Sequence, residues 1–190
     1  MLLEDILEYN DKFVNDEEFV QYEATKLPKK RMVVVSCMDA RLVELLPKAL
    51  DLHNGDAKII KNAGGIISHP FGSIMRSVVT AVYELNADEI FIIGHHRCGM
   101  SQSNPKATIQ KAIDRGVVSN EVVENLGYAG IDLHKWLFGF DNVVDSVNDN
   151  IELVRNHPLI PKDVPVHGLV IDPDTGKLDV VVDGYKAVAK

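Results

Sequence analysis

Residues 32–41 have the sequence MVVVSCMDAR, in which a β-branched apolar run leads directly to a cysteine, an aspartate and an arginine. The run is apolar on both alternating faces, which is typical of a central strand in a parallel sheet. Residues 89–98, EIFIIGHHRC, repeat this arrangement with a second apolar run and the only other cysteine. Both predicted strands, 32–37 and 89–94, therefore end in side chains that can bind a metal.

The rest of the chain from residue 32 onward alternates between strand-like and helix-like patterns. Apolar runs predict further strands over 57–61, 166–171 and 177–182, and helical periodicity predicts helices over 42–50, 71–86 and 140–156, with several short helices within 101–138. The five-residue turn DPDTG at 172–176 predicts a hairpin, so the last strand is expected to be antiparallel. We therefore expect an α/β fold, a mostly parallel central sheet of about four strands plus an antiparallel edge strand, flanked by helices.

The first thirty residues follow a different pattern. Apolar residues at helical spacing predict an amphipathic helix over 2–12, and Asn15 or Asp16 is a candidate cap for a second short helix that runs to Glu23. Little in this region demands a local core. We expect a single domain over 1–190, with residues 1–30 as a helical arm that packs on a partner subunit and 31–190 as the α/β core.

Composition excludes several classes of function. The net charge is −8 and there is no basic stripe, which argues against nucleic acid as a partner. No apolar run approaches the ~20 residues needed to span a bilayer, and the N-terminus lacks the basic start of a signal peptide. We therefore expect no membrane partner and a cytoplasmic location, where two distant cysteines favour metal binding or catalysis over a disulfide.

The metal-ligand side chains are predicted to converge. If strand 57–61 lies on one side of strand 32–37 and strand 89–94 on the other, the winding of the sheet reverses between two strands whose carboxyl ends carry Cys37 and His95. Thiolate and imidazole are the ligands that Zn²⁺ prefers, and Cys98 supplies a third. Three protein ligands leave a fourth position open, which is the pattern of a catalytic zinc.

Asp39 and Arg41 follow the first predicted ligand directly. Asp39 is placed to accept a hydrogen bond from water at the metal, and Arg41 is placed to pair with Asp39 and keep it ionised. Asp39 could instead rotate onto the zinc as a fourth ligand, which would give a closed site. Because pairing with Arg41 competes with that ligation, we hypothesise that the pair acts as a gate.

Three motifs together resemble the β-class carbonic anhydrases, especially the short prokaryotic branch. They are Cys-x-Asp-x-Arg at 37–41, Asn-Ala-Gly-Gly at 62–65 and Gly-His-x-x-Cys-Gly at 94–99. The resemblance implies reversible hydration of carbon dioxide to bicarbonate and a proton through zinc-bound hydroxide. It implies Cys37, His95 and Cys98 as zinc ligands, and Asp39 and Arg41 as the catalytic dyad. It further implies a homodimer or a multiple of dimers, with N-terminal helices that reach across the interface.

Two alternatives remain open. A hydrolase acting on carbon disulfide or carbonyl sulfide could use the same scaffold, because these linear molecules are attacked by the same nucleophile. A non-catalytic zinc-binding domain could keep the three ligands for structure alone. The presence of both Asp39 and Arg41 beside the first ligand favours catalysis over that second alternative.

Overall fold

The strands alternate with helices from residue 32 onward in the computed structural model, which describes residues 1–188. The strands are β1 (Met32–Cys37), β2 (Ala57–Asn62), β3 (Glu89–His95), β4 (Val166–Ile171) and β5 (Leu178–Val182). The helices are α1 (Leu2–Asn15), α2 (Leu42–Ala49), α3 (Ser73–Glu84), α4 (Pro105–Asp114), α5 (Asn120–Tyr128), α6 (Leu133–Leu137), α7 (Val143–Arg155) and α8 (Tyr185–Val188). Short 3₁₀ turns lie at Glu18–Tyr22, Ala63–Gly65 and Gly99–Gln102.

The five strands form one sheet in the order β2-β1-β3-β4-β5. β1 pairs in parallel with β2 and with β3, and β3 pairs in parallel with β4. β5 pairs antiparallel with β4 and lies at an edge, which confirms the predicted hairpin. The predicted α/β fold is therefore correct. The winding reverses between β1 and β3, as expected, so their carboxyl ends face the crevice in which open α/β sheets bind ligands.

Helices cover both faces of the sheet. On one face α3 and α7 pack on the strands through Met75, Val78, Val147 and Ile151, and on the other face α2 contributes Leu42 and Leu46. All six residues of β1 are buried, because helices lie above and below it. The helix α7 approaches β4 closely at Gly168, where an added Cβ would lie 2.4 Å from Cδ1 of Ile151.

The N-terminal arm projects from this layered core. Helix α1 has no buried residue, and its apolar side chains Leu3, Ile6 and Leu7 are more than half exposed. The prediction that Asn15 or Asp16 caps the following helix is wrong. Asn15 is the last residue of α1 and Asp16 its C-cap, while the 3₁₀ turn at Glu18–Tyr22 begins after Glu17, which has a left-handed backbone.

The segment between β3 and α7 folds into short helices, as predicted. Three polar side chains accept hydrogen bonds from backbone N–H groups at helix starts, namely those of Asn104, Ser119 and Asp132. Within residues 1–188, every helix is too short or too polar to cross a bilayer.

Candidate metal centre

The two strands that meet at the reversal of the sheet deliver the predicted ligands to one place. Cys37 is the last residue of β1 and His95 the last residue of β3, and the two strands are hydrogen-bonded neighbours. Cys98 follows in the loop that leaves β3. The structure brings all three side chains together, and all three are buried. Their ligand atoms lie within 4.8 Å of one another.

The spacing of the two sulfur atoms suits a tetrahedral metal. The Sγ atoms of Cys37 and Cys98 lie 3.8 Å apart, and the two cysteines are not joined by a disulfide. Two thiolates bound to one zinc at the usual Zn–S length of about 2.3 Å and a tetrahedral angle would lie about 3.8 Å apart. The observed separation therefore fits a shared Zn²⁺ ion.

His95 presents a free ring nitrogen to the same cluster. Its Nδ1 lies 2.9 Å from the carbonyl oxygen of His96, and because a carbonyl only accepts, Nδ1 carries the proton. In the neutral imidazole Nε2 then carries no proton; this atom is buried and has no hydrogen-bond partner within residues 1–188. A buried acceptor without a partner is costly in an ordinary core, whereas a metal-binding histidine requires this arrangement. The imidazole thus fits a metal ligand.

The proximity of the two thiols separates their acidities. A hydrogen bond from the Cys98 thiol stabilises the thiolate of Cys37 and lowers its pKa, and the same contact raises the pKa of Cys98. The protein therefore favours one thiolate at this point before any cation is considered. A cation held by both sulfur atoms favours the second thiolate as well, since the thiolate is the form that binds metals.

Asp39 and Arg41 form a two-pronged ion pair beside the cluster. Arg41 Nε donates to Oδ1 of Asp39 over 3.0 Å and Arg41 Nη2 donates to Oδ2 over 2.8 Å. The backbone N–H of Arg41 also donates to Oδ1, over 2.9 Å. These contacts, the guanidinium above all, hold the pKa of Asp39 well below its usual range. Oδ2 of Asp39 lies 3.8 Å from Nε2 of His95, so the carboxylate borders the cluster while it remains on Arg41.

A glycine turn supports the end of β1. Gly64 and Gly65 both have left-handed backbones, with φ of 77° and 66°. An added Cβ on Gly65 would lie 3.2 Å from the backbone nitrogen of Cys37, so the turn contacts the ligand-bearing strand directly. The two glycines therefore serve the structure of the turn, since their backbones adopt a conformation that side chains disfavour.

Two residues that hold separate segments of the chain together were not identified from the sequence. Asn150 on α7 is buried, accepts from the backbone N–H of Ile67 over 2.7 Å and donates to the carbonyl of Ser146. Its signal in the sequence was a polar residue within the apolar stripe of α7. Arg97 joins the metal-ligand loop to the β4–β5 turn, but its partner Asp172 is too distant in sequence to be found by spacing.

Comparison with known proteins agrees with this geometry. A family model described as "Carbonic anhydrase" matches residues 32–178. The Bacillus subtilis (strain 168) protein "Putative carbonic anhydrase YtiB" is 54% identical over 184 residues, which is 97% of this chain and 98% of that protein. The crystal structure of β-carbonic anhydrase isoform I (TvaCA1) from Trichomonas vaginalis has a TM-score of 0.88 at 34% identity and covers 97% of this chain and 100% of that chain.

A more distant relative carries a different name. A protein named "Carbon disulfide hydrolase" from Saccharolobus solfataricus (strain ATCC 35092 / DSM 1617 / JCM 11322 / P2) is 30% identical over 186 residues, which is 91% of this chain and 89% of that protein.

The fold and the cluster define an α/β protein with a two-cysteine, one-histidine metal-type site where the winding of its sheet reverses. The family match and the structural likeness make this class specific. The chain belongs to the β-carbonic anhydrase family of enzymes.

Proposed function

We propose that this chain catalyses the reversible hydration of carbon dioxide to bicarbonate and a proton. The observation that carries the proposal is the unpartnered Nε2 of His95 beside two thiols and next to an arginine-paired carboxylate. A purely structural zinc site has no need of that carboxylate. The high identity to YtiB over nearly the whole chain supports the same activity.

Cys37, His95 and Cys98 would hold the zinc ion that β-carbonic anhydrases use. When bound, zinc supplies Lewis acidity, which lowers the pKa of water towards about 7 and makes a nucleophile available near neutral pH. The protein contributes two thiolates and one neutral imidazole, and the carbonyl of His96 orients that imidazole.

Asp39 is proposed to accept a hydrogen bond from the attacking water. Its pKa is well below the usual range, so the carboxylate is ionised at physiological pH and can accept hydrogen bonds but not donate them. Arg41 donates a hydrogen bond to each carboxylate oxygen and so fixes the orientation of the carboxylate. The side chain of Asp39 is 18% exposed, so solvent reaches the residue that would orient the attacking water. The closed state, in which Asp39 leaves Arg41 and becomes a fourth ligand, remains a prediction of the same proposal.

We also propose that residues 1–190 act as one domain in a homodimer or a multiple of dimers. Support comes from helix α1, whose apolar side chains are exposed and have no core of their own to cover. A partner copy that receives residues 1–30 removes these side chains from water.

Hydrolysis of carbon disulfide is the second candidate. The observation in its favour is the 30% identity to the Saccharolobus solfataricus carbon disulfide hydrolase across 91% of this chain. Identity to YtiB, which is named a putative carbonic anhydrase, is much higher at 54%, and it supports carbon dioxide as the first candidate.

Stopped-flow hydration of carbon dioxide by the zinc-loaded protein, between about pH 6.5 and 9, tests the proposal. We expect zinc-dependent activity in the native protein and a loss of roughly 10²-fold or more in Asp39→Ala, since a positioned acceptor typically contributes that much. The matched control is Asp88→Ala. It removes another arginine-paired carboxylate, with Arg31 as its partner, at the opposite end of the sheet.

The outcomes separate the candidates. Full activity of Asp39→Ala would exclude the proposed part of Asp39. An inactive native protein that hydrolyses carbon disulfide would replace the substrate, and a zinc-loaded protein inactive on both would leave the structural-zinc alternative.

A further inference from the structure

Arg97 lies within the metal-ligand loop, between His95 and Cys98, and has a strained backbone. Its φ is 54°, in the left-handed region that residues with a side chain avoid. The guanidinium leaves the loop and reaches the turn between β4 and β5. There Nη2 donates to Oδ2 of Asp174 over 2.7 Å and to Oδ2 of Asp172 over 3.2 Å.

Asp172 is itself held rigidly by the turn. Its Oδ1 accepts from the backbone N–H groups of Asp174, over 2.8 Å, and Thr175, over 3.0 Å. Its backbone N–H donates to the carbonyl of Lys177, and its carbonyl accepts from Gly176. The carboxylate that receives Arg97 therefore has a fixed position relative to the sheet.

The backbone of Arg97 faces the opposite way, towards Arg41. The carbonyl oxygen of Arg97 accepts from Arg41 Nη2 over 3.2 Å. The same nitrogen donates to Oδ2 of Asp39 over 2.8 Å. One guanidinium nitrogen is thus directed at two acceptors, one on Asp39 and one on the backbone of Arg97.

We propose that Arg97, anchored by Asp172 and Asp174, is a positioning residue that orients Arg41 and so keeps the Asp39 carboxylate away from the metal. This inference rests on the proposed function, because it assumes a metal held by the two thiols and His95. Asp172 and Asp174 act through Arg97, and Arg97 acts through Arg41. The β4–β5 turn then controls whether the fourth metal position is open to small molecules.

If these ion pairs served only to stabilise the fold, their loss would lower the stability of the protein and leave the metal position unchanged. Arg97 is 53% exposed and Asp174 65% exposed, and ion pairs at such positions add little to the stability of a fold. Loss of the anchor is therefore expected to leave the protein folded and metal-loaded. The effect belongs to the orientation of Arg41, which a measurement of the open metal position can detect.

Azide binding to the cobalt-substituted protein, followed by the visible spectrum at one fixed pH, measures that position directly. The variants are Asp172→Asn, Arg97→Gln and the double variant, each in the full chain. We expect each single variant to bind azide about threefold to tenfold more weakly, because the freed Asp39 competes for the metal. The double variant is expected to match the singles, since both changes break one connection.

Two further proteins make the test specific. In an Asp39→Ala background, Asp172→Asn is expected to have no effect on azide affinity, because the competing carboxylate is gone. Lys177→Gln is the matched control. It removes the charge of a lysine that lies in the same hairpin, pairs with Asp179 and does not contact Arg97. Its azide affinity is expected to equal that of the native protein.

Unchanged azide affinity in Asp172→Asn and Arg97→Gln would overturn the proposal, and so would an effect of Asp172→Asn that persists without Asp39. Loss of cobalt, or unfolding at the temperature of the azide titration, would also overturn it in favour of a structural part, and Arg97→Lys, which keeps the charge, checks that result. A native protein without hydration activity that shows the expected azide pattern would refute the proposed function alone.

Discussion

At the scale of single residues, the direction of a few hydrogen bonds decides which atoms remain free for chemistry. One ring nitrogen of His95 is hydrogen-bonded to the carbonyl of His96, and the other is left beside the two thiols. Arg41 performs a comparable task for Asp39, since it occupies part of both carboxylate oxygens and leaves one edge next to the cluster. At metal sites, hydrogen-bond partners of this kind fix the tautomer and the orientation of a histidine ligand.

Asn150 also stabilises the structure through its side chain, which bonds to backbone outside its own helix. Replacing it by leucine would leave the backbone N–H of Ile67 buried without an acceptor. An unsatisfied buried donor costs about 1–3 kcal/mol, so we expect Asn150→Leu to lose about 2 kcal/mol and to melt roughly 4–8 °C lower. Thermal unfolding followed by circular dichroism measures this change.

The same substitution at an exposed helical position provides the control. Asn125 lies on α5 and is exposed, so Asn125→Leu is expected to change stability by no more than about 0.5 kcal/mol. Equal melting temperatures for both variants would contradict the importance assigned to Asn150.

At the scale of elements, sequence patterns predict where strands run better than where helices begin. The apolar runs of β1 and β3 are unambiguous because both faces of these strands are covered. Helix α7 was predicted from residue 140 but begins at Val143, because the side chain of Asn142 accepts from two backbone N–H groups at its start. A side-chain cap of this kind sets the first residue of a helix, and apolar periodicity alone does not locate the cap.

The candidate site shows the same division. The clustering of Cys37, His95 and Cys98 and the Asp39–Arg41 pair could be predicted because strand ends and short motifs place these residues. The contact between Arg97 and Asp172 could not, since it joins two loops that only the β3–β4 pairing brings together. Contacts of this kind depend on register, which no local pattern specifies.

The β4–β5 turn makes a prediction about acid stability. Backbone N–H groups of Asp174 and then Thr175, together with the guanidinium of Arg97, lower the pKa of Asp172 from 3.8 to about 2. A pKa that is lower in the folded chain stabilises the fold above the unfolded value, near pH 4, and this contribution is lost as the pH falls to about 2. We therefore expect the native protein to melt above Asp172→Asn at about pH 5, with a difference that vanishes towards pH 2.

Melting temperatures of both proteins in matched buffers across this range test the prediction. Their difference isolates Asp172, because other carboxylates titrate in both proteins. A difference that stays constant down to pH 2 would contradict the assignment of the lowered pKa to this turn.

At the scale of the whole molecule, the arm is the part whose apolar side chains the rest of the chain leaves uncovered. The core buries its apolar side chains between the sheet and its helices, whereas α1 leaves its apolar stripe open. With a net charge of −8, association between copies has to overcome mutual repulsion. In the proposed dimer, burial of the stripe against a partner copy would supply an opposing, non-directional attraction.

Substitution on the stripe tests the proposed dimer. Leu3 and Leu7 lie on the apolar side of α1 and are 66% and 53% exposed. We expect the native protein to elute as a dimer or a multiple of dimers, and Leu3→Glu with Leu7→Glu to shift it towards the monomer. Size-exclusion chromatography with light scattering reads the mass directly.

The control places two charge changes on the polar side of the same helix. Asp5→Lys with Glu8→Lys is expected to keep the native mass, because these side chains point away from the stripe. A native protein that is monomeric at all concentrations would refute the proposed interface.

The order of these parts along the chain has a consequence for biosynthesis. A nascent polypeptide has both thiols and the imidazole by residue 98, before β4 and β5 are translated. The turn that carries Asp172 emerges only after residue 171, and its carboxylate reaches Arg97 once β4 has docked beside β3. Convergence of these three side chains can therefore precede completion of the sheet, and the contacts of the Arg97 side chain form last. Synthesis thus separates the gathering of the cluster from the arrival of the turn that anchors the loop beside it.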